Sequence, residues 1–233
     1  MENLPVYISI LFGLILILTI YLFYRAAHYS RLTLWIIIAW VLVQSIISIA
    51  GFYTVTNTIP PRFFLLIAPA VIFILILFFT RSGRSYIDKL NIKVLTILHV
   101  IRIPVELLLF WLFLRKLIPE LMTFEGRNFD IVSGITAALV FYFCFYRKNG
   151  NRKLLLAWNF ICLGLLINIM ALAILSAPFP FQKLAFDQPN IAVLYFPFTL
   201  LPACIVPLVL FSHLASIRQL IMNKNLQRIS PQV

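Results

Sequence analysis

At 233 residues, 63% hydrophobic and 11% charged, with 22 Phe, the chain falls outside the composition of soluble domains and matches a polytopic membrane protein. A formal net charge of +12 would suit nucleic acid, but the basic residues sit in the short gaps between apolar stretches, which marks them as topology signals and argues against that role. Cys144, Cys162 and Cys204 all lie inside apolar stretches without paired spacing, so neither a disulfide framework nor a zinc ribbon is supported.

About 20 apolar residues cross a hydrocarbon core roughly 30 Å thick. Seven stretches qualify, at 5–24, 33–54, 62–80, 94–114, 131–146, 154–176 and 191–213, the fifth being the shortest. The expected fold is therefore one all-α membrane domain over residues 1–233, a seven-helix transmembrane bundle. In the first stretch the charges follow the apolar run and the run is too long for a signal-peptide core, so it is expected to be retained. The second carries Gln44 midway. After the third comes RSGRSYIDKLNIK, where Tyr86, Ile87 and Leu90 interleave with basic residues; this suits a short helix lying on the inner leaflet, with a solvated turn as the alternative.

The fourth stretch holds the most informative residues. His99, Arg102 and Glu106 follow i, i+3, i+7 spacing and share one helix face, at depths of roughly 8, 12 and 18 Å for a rise of about 1.5 Å per residue. An ionised side chain near mid-bilayer costs on the order of 3 kcal/mol even on the lenient insertion scale, so such residues face a protein interior and mark function, or else neutralise each other and pin the bundle. Pro104 between the two charges removes a backbone donor and frees the carbonyl of Val100. The loop 115–130 balances Glu120, Glu125 and Asp130 against Arg115, Lys116 and Arg127 and reads as a structured cap turned by Gly126, or as a plain solvated loop. Asn159 and Asn168 lie in the sixth stretch and, with Gln44, need partners in hydrocarbon: either they converge on Arg102 or each bonds a nearby backbone carbonyl. In the last stretch Pro197, Pro202 and Pro207 recur at five-residue intervals, which with Pro104 suggests gating elements, or a static kinked helix. Helical spacing continues through Leu214, Ile217 and Ile221 before Pro231, so the last helix is expected to project and then fray.

If the spans alternate, thirteen of the 19 basic residues share one side, five lie on the other and Arg102 lies within, which puts the N-terminus outside and the C-terminus in the cytoplasm. His28, His99 and His213 fall toward the cytoplasmic side without an i, i+4 pair, so no metal, haem or other cofactor is expected. Phe23, Tyr24, Arg25 and Trp35 are echoed by Phe145, Tyr146, Arg147 and Trp158, and Phe63, Pro69 and Ala70 by Phe196, Pro202 and Ala203, which suggests a parallel 3+1+3 repeat; chance within a narrow alphabet is the alternative. That plan is similar in topology to the SWEET sugar carriers and to seven-helix rhodopsins, although the carriers' proline-glutamine signature is absent and the last stretch lacks a lysine for retinal.

The segment HVIRIPVELLLFWLFLRKLIPELMTFEGRNFD, residues 99–130, resembles one in uncharacterised small bacterial inner-membrane proteins. The resemblance implies a bacterial inner-membrane location and no activity. With catalytic motifs missing, the leading expectation is a carrier or channel for a small solute, bound by Arg102, Glu106, His99, Gln44, Asn159 and Asn168, with an anionic group favoured by the arginine. The alternatives are a seven-helix sensor or accessory subunit, and an intramembrane enzyme on a lipid-soluble substrate using His99 and Glu106. Expected partners are anionic headgroups and the solute, with homo-oligomerisation left open.

Overall fold

A backbone donor or acceptor left open in hydrocarbon costs several kcal/mol, so an apolar chain closes its hydrogen bonds within helices. The computed structural model describes residues 4–146 and 151–222, and among these there are helices and turns but no strand. The basic residues Arg147, Lys148, Lys224 and Arg228, and the frayed tail expected beyond residue 222, lie outside the described residues.

In chain order the helices are α1 (Val6–Ala26), α2 (Arg31–Ile49), α3 (Phe64–Phe79), α4 (Arg81–Lys89), α5 (Ile92–Leu98), α6 (Arg102–Leu114), α7 (Asp130–Phe141), α8 (Arg152–Leu175) and α9 (Val206–Met222). Five helices are long and apolar enough to cross a membrane: Val6–Ala26, Arg31–Ile49, Ile92–Leu114, Arg152–Leu175 and Leu201–Met222. A bent pair, α3 with α4, makes a sixth if taken as one span, and Asp130–Tyr146 is a shorter apolar helix. Side-chain caps fix several starts: Ser30, Thr80, Asn91 and Asn151 each accept from a backbone N–H of the first turn of α2, α4, α5 and α8.

Two expected spans end or begin elsewhere. The second stops at Ile49, because Gly51 takes a left-handed φ of 73° and a short 3₁₀ turn follows at Phe52–Thr54. The last does not begin at 191. Residues 192–199 form a 3₁₀ turn and a further turn around Pro197, where the residue before a proline is steered out of the helical region; the helix sets in only at Leu200, as a π turn over Leu201–Ile205, and runs to Met222. Pro197 therefore precedes this helix, and the picture of three prolines breaking one ladder is corrected to two, with Pro202 in the first turn, where proline is tolerated.

The sharp corner comes from Gly83. α3 and α4 meet at 95°, and a Cβ on Gly83 would stand 2.3 Å from the carbonyl oxygen of Leu77, so only glycine lets α4 fold this closely against the end of α3. α4 is then held to the neighbouring helix ends: Tyr86 shares a 3.0 Å hydroxyl bond with Thr33, the backbone carbonyl of Lys89 lies 2.9 Å from His28 Nε2, Gln219 Nε2 donates to the carbonyls of Ile87 and Leu90 at 2.6 and 2.8 Å, and Arg218 grips Asp88 at 3.0 and 2.9 Å.

α2 repairs two ladders that prolines break. Pro69 inside α3 cannot donate to the carbonyl four residues back, on Leu65, and Gln44 Nε2 donates to it at 3.3 Å. Pro207 likewise cannot donate to the carbonyl four residues back, on Ala203, and Trp40 Nε1 donates there at 2.7 Å.

A candidate buried polar site

α5 and α6 join through a 3₁₀ turn at His99–Ile101, the turn just before Pro104, and together form the continuous helix Ile92–Leu114. A proline ring clashes with the carbonyl four residues earlier and supplies no N–H, so the ladder tightens here. The expected stripe forms: His99, Arg102 and Glu106 are all buried, at 0%, 2% and 1% exposure.

The partner of Arg102 is Asp130, the first residue of α7. The guanidinium engages both carboxylate oxygens, Nε donating to Oδ2 at 2.6 Å and Nη2 to Oδ1, in the fork geometry that suits arginine and carboxylate. The i, i+4 pairing of Arg102 with Glu106 is thus replaced by a pairing across two helices. Gly134 permits it: a Cβ there would lie 2.8 Å from Ile103 Cγ1, 3.0 Å from Ile103 N and 3.4 Å from Arg102 Cβ, so α7 reaches α6 at a distance no side chain allows.

The other donors of Arg102 are also engaged. Nη1 and Nη2 point at the carbonyl of Cys162 at 3.5 and 3.4 Å, and Nη1 lies 3.1 Å from His213 Nε2. An arginine only donates, so His213 Nε2 must accept, which leaves the ring proton on Nδ1; that nitrogen lies 2.9 Å from Asn159 Oδ1 and donates to it. Asn159 Nδ2 in turn donates to the carbonyl of Leu155 at 2.8 Å. The chain of bonds therefore assigns one neutral tautomer. His99 stacks on His213 with ring centroids 3.8 Å apart and planes at 16°, and meets Trp158 edge-on at 5.4 Å; neither of its ring nitrogens has a hydrogen-bond partner among the described residues.

Glu106 belongs to the loop that follows its own helix. Asn128 Nδ2 donates to its Oε2 at 2.6 Å and to the carbonyl of Met122 at 3.0 Å, while Asn128 Oδ1 accepts from the backbone N–H of Asp130 at 3.0 Å. One asparagine thereby links the two carboxylates. The loop 115–130 is a built structure: Ile118, Met122, Thr123 and Asn128 are buried, and Gly126 fits because a Cβ would strike the Glu120 carbonyl oxygen at 2.3 Å.

Of the residues expected at the site, His99, Arg102 and Glu106 lie together, with Asn159 joined through His213. Gln44 does not converge on them: it accepts from the Tyr53 hydroxyl at 2.5 Å and serves α3. Asn168 is half-buried and donates to the Arg127 carbonyl at 2.9 Å. Asp130, Asn128, His213 and Trp158 were not expected there. His213 is buried at 0% because α9 runs on for nine residues past it and α4 closes over that end. Among the described residues no group of three or more His, Cys, Asp and Glu is arranged to hold a metal ion.

A match to a domain of unknown function covers residues 59–221, most of the chain. The chain belongs to the DUF8737 family. Arg102, Glu106, Asn128, Asp130, Asn159 and His213 lie inside the stretch that defines DUF8737, whereas Trp40 and Gln44 precede it. No curated protein and no solved structure matches this DUF8737 chain.

Proposed function

We propose that the chain is a seven-helix protein of the bacterial inner membrane, N-terminus outside and C-terminus in the cytoplasm, that carries or conducts a small solute through the buried cluster of Arg102, Asp130 and Glu106. Five to six apolar helices and the gathering of basic residues at one set of helix ends support the membrane placement, with α3 crossing alone before α4 turns aside and Asp130–Tyr146 as the short crossing. The sequence echo between its first and last three stretches supports a 3+1+3 plan.

The observation that carries the proposal is a charge count. One guanidinium stands among two carboxylates, and all three groups are buried. Asp130 takes the Nε–Nη2 edge of Arg102 with both its oxygens, so Glu106 is left with the neutral amide of Asn128. A carboxylate without a counter-charge in a protein interior is costly, and a proton or a small cation balances it. The preference therefore moves away from the anion that an unpaired arginine would favour: the solute is a cation, or moves together with a proton on Glu106. Proteoliposomes loaded with a pH-sensitive dye test this. Proton entry driven by an imposed potential or cation gradient is expected with the unaltered chain and is lost in Glu106→Gln; equal proton and cation flux in Glu106→Gln and Arg102→Ala removes the carrier.

A sensor or accessory subunit is the alternative, favoured by one observation: Arg102 is bonded internally through Nε and both terminal nitrogens, as in a static pin. Recovery of a stoichiometric partner protein with no flux of any kind would decide for it.

A further inference from the structure

A positively charged patch lies on α4. Its buried side, Gly83 and Ile87 with Leu90 just beyond, closes onto the body of the protein. Its exposed side carries Arg81, Arg84 and Lys89, none of which has an acidic partner among the described residues, because Asp88, the one acid of this helix, is held by Arg218. The patch therefore keeps its full positive charge. Exposed Arg31 stands one residue beyond the Ser30 cap of α2, whose Thr33 is bonded to Tyr86, and so adds to the same end of the molecule. Exposed Tyr29 and Trp35 flank it, the residue types that settle at headgroup level.

Orientation follows from the corner at Thr80. If α3 runs along the membrane normal, a helix leaving it at 95° lies nearly in the membrane plane, with its apolar side inward and its arginines along the leaflet surface. We propose that α4 is a docking platform for anionic phospholipids, whose phosphates are seated by Arg81, Arg84 and Lys89 with Arg31 beside them. This rests on the membrane-spanning reading above. Guanidinium groups suit the occupant, since their planar fork bonds phosphate oxygens in pairs. The platform is also rigidly mounted, through Asp88 and Arg218 and through Gln219, on α9, the helix that carries His213.

The full chain is reconstituted in bilayers of equal phosphatidylglycerol and phosphatidylcholine, re-extracted in mild detergent, and its retained lipid quantified by mass spectrometry. Phosphatidylglycerol is expected to be enriched, the enrichment falling by about fivefold for each charge removed in Arg81→Gln, Arg84→Gln and Lys89→Gln and in high salt, while Lys153→Gln at the start of α8 leaves it unchanged. Unaltered enrichment in the triple variant, an equal loss in Lys153→Gln, or no preference in the unsubstituted chain would each overturn the platform alone. Release of the chain from native membranes by alkaline carbonate would overturn the platform and the spanning topology together.

Discussion

Arg102 and Asp130 hold one another across α6 and α7 by two parallel hydrogen bonds, with both side chains buried. Removing one partner strands the other's charge in the interior. Asp130→Asn is therefore expected to cost about 3–5 kcal/mol, whereas the paired replacement Arg102→Met with Asp130→Leu recovers most of it. Thermal unfolding of the detergent-solubilised protein checks both, and a single variant as stable as the double one would contradict the pairing.

Gly134 sets the spacing of those two helices. Alanine there meets Ile103 at 2.8 Å from Cγ1 and 3.0 Å from the backbone nitrogen, so Gly134→Ala is expected to lose about 1–3 kcal/mol, and a leucine to prevent the close approach altogether. Thermal unfolding of the detergent-solubilised variants checks both, and a Gly134→Ala chain as stable as the unsubstituted one would contradict the close approach.

The fourth stretch was legible in the sequence because a charge at i and i+4 inside an apolar run has no innocent location, and its stripe is buried as expected. Its counter-charge was not legible. Asp130 reads as one of three acids balancing three bases in a loop, and only the rule that a buried guanidinium needs a carboxylate, applied to an aspartate heading an apolar run, would have singled it out. Hydropathy misplaces helix ends where glycine or proline outweighs it, at Gly51 and Pro197. The continuation of the last helix past His213 is legible in the spacing of Leu214, Ile217 and Ile221, but nothing in the sequence shows that α4 closes over that end and buries the histidine. Gln44 needs a partner within its apolar stretch, and the proline at 69, which leaves the Leu65 carbonyl short of a donor, is the signal for which one.

Trp40 supplies the hydrogen that Pro207 cannot give to the Ala203 carbonyl. Trp40→Phe keeps the ring and removes that donor, so a loss of about 1–3 kcal/mol is expected. Adding Pro207→Ala, which restores the backbone donor, is expected to return much of the stability; a Trp40→Phe cost that persists unchanged beside Pro207→Ala would show that the indole acts through packing alone.

The neutral Nδ1–H form of His213 is fixed from both sides, by Arg102 and by Asn159. Nitrogen-15 shifts of labelled histidine are expected to report that single tautomer, to keep it in Asn159→Ala because Arg102 still donates to Nε2, and to become a mixture only when Arg102→Ala and Asn159→Ala are combined. A mixture already present in the unsubstituted protein would break the assigned chain of bonds.

Tyr86 gives a pH test at the α4 end. Burial pushes its phenol above the ordinary 10.0, and the bond with Thr33 offsets part of this. A phenol whose folded value is raised stabilises fully below its unfolded value and loses that contribution as pH rises through the folded one. The unsubstituted chain should thus hold a constant margin over Tyr86→Phe below about pH 10 and lose ground to it above, as read from denaturation midpoints across alkaline pH.

Because the opposite charges of Arg102 and Asp130 belong to consecutive helices, each arrives within one hairpin of its neutralising mate. Neither segment alone is a comfortable passenger in lipid, one bearing a guanidinium and the other short and headed by an acid. If the two segments span the membrane as proposed, entering side by side they present the translocation machinery with a dipole instead of two ions, and insertion as a unit is favoured.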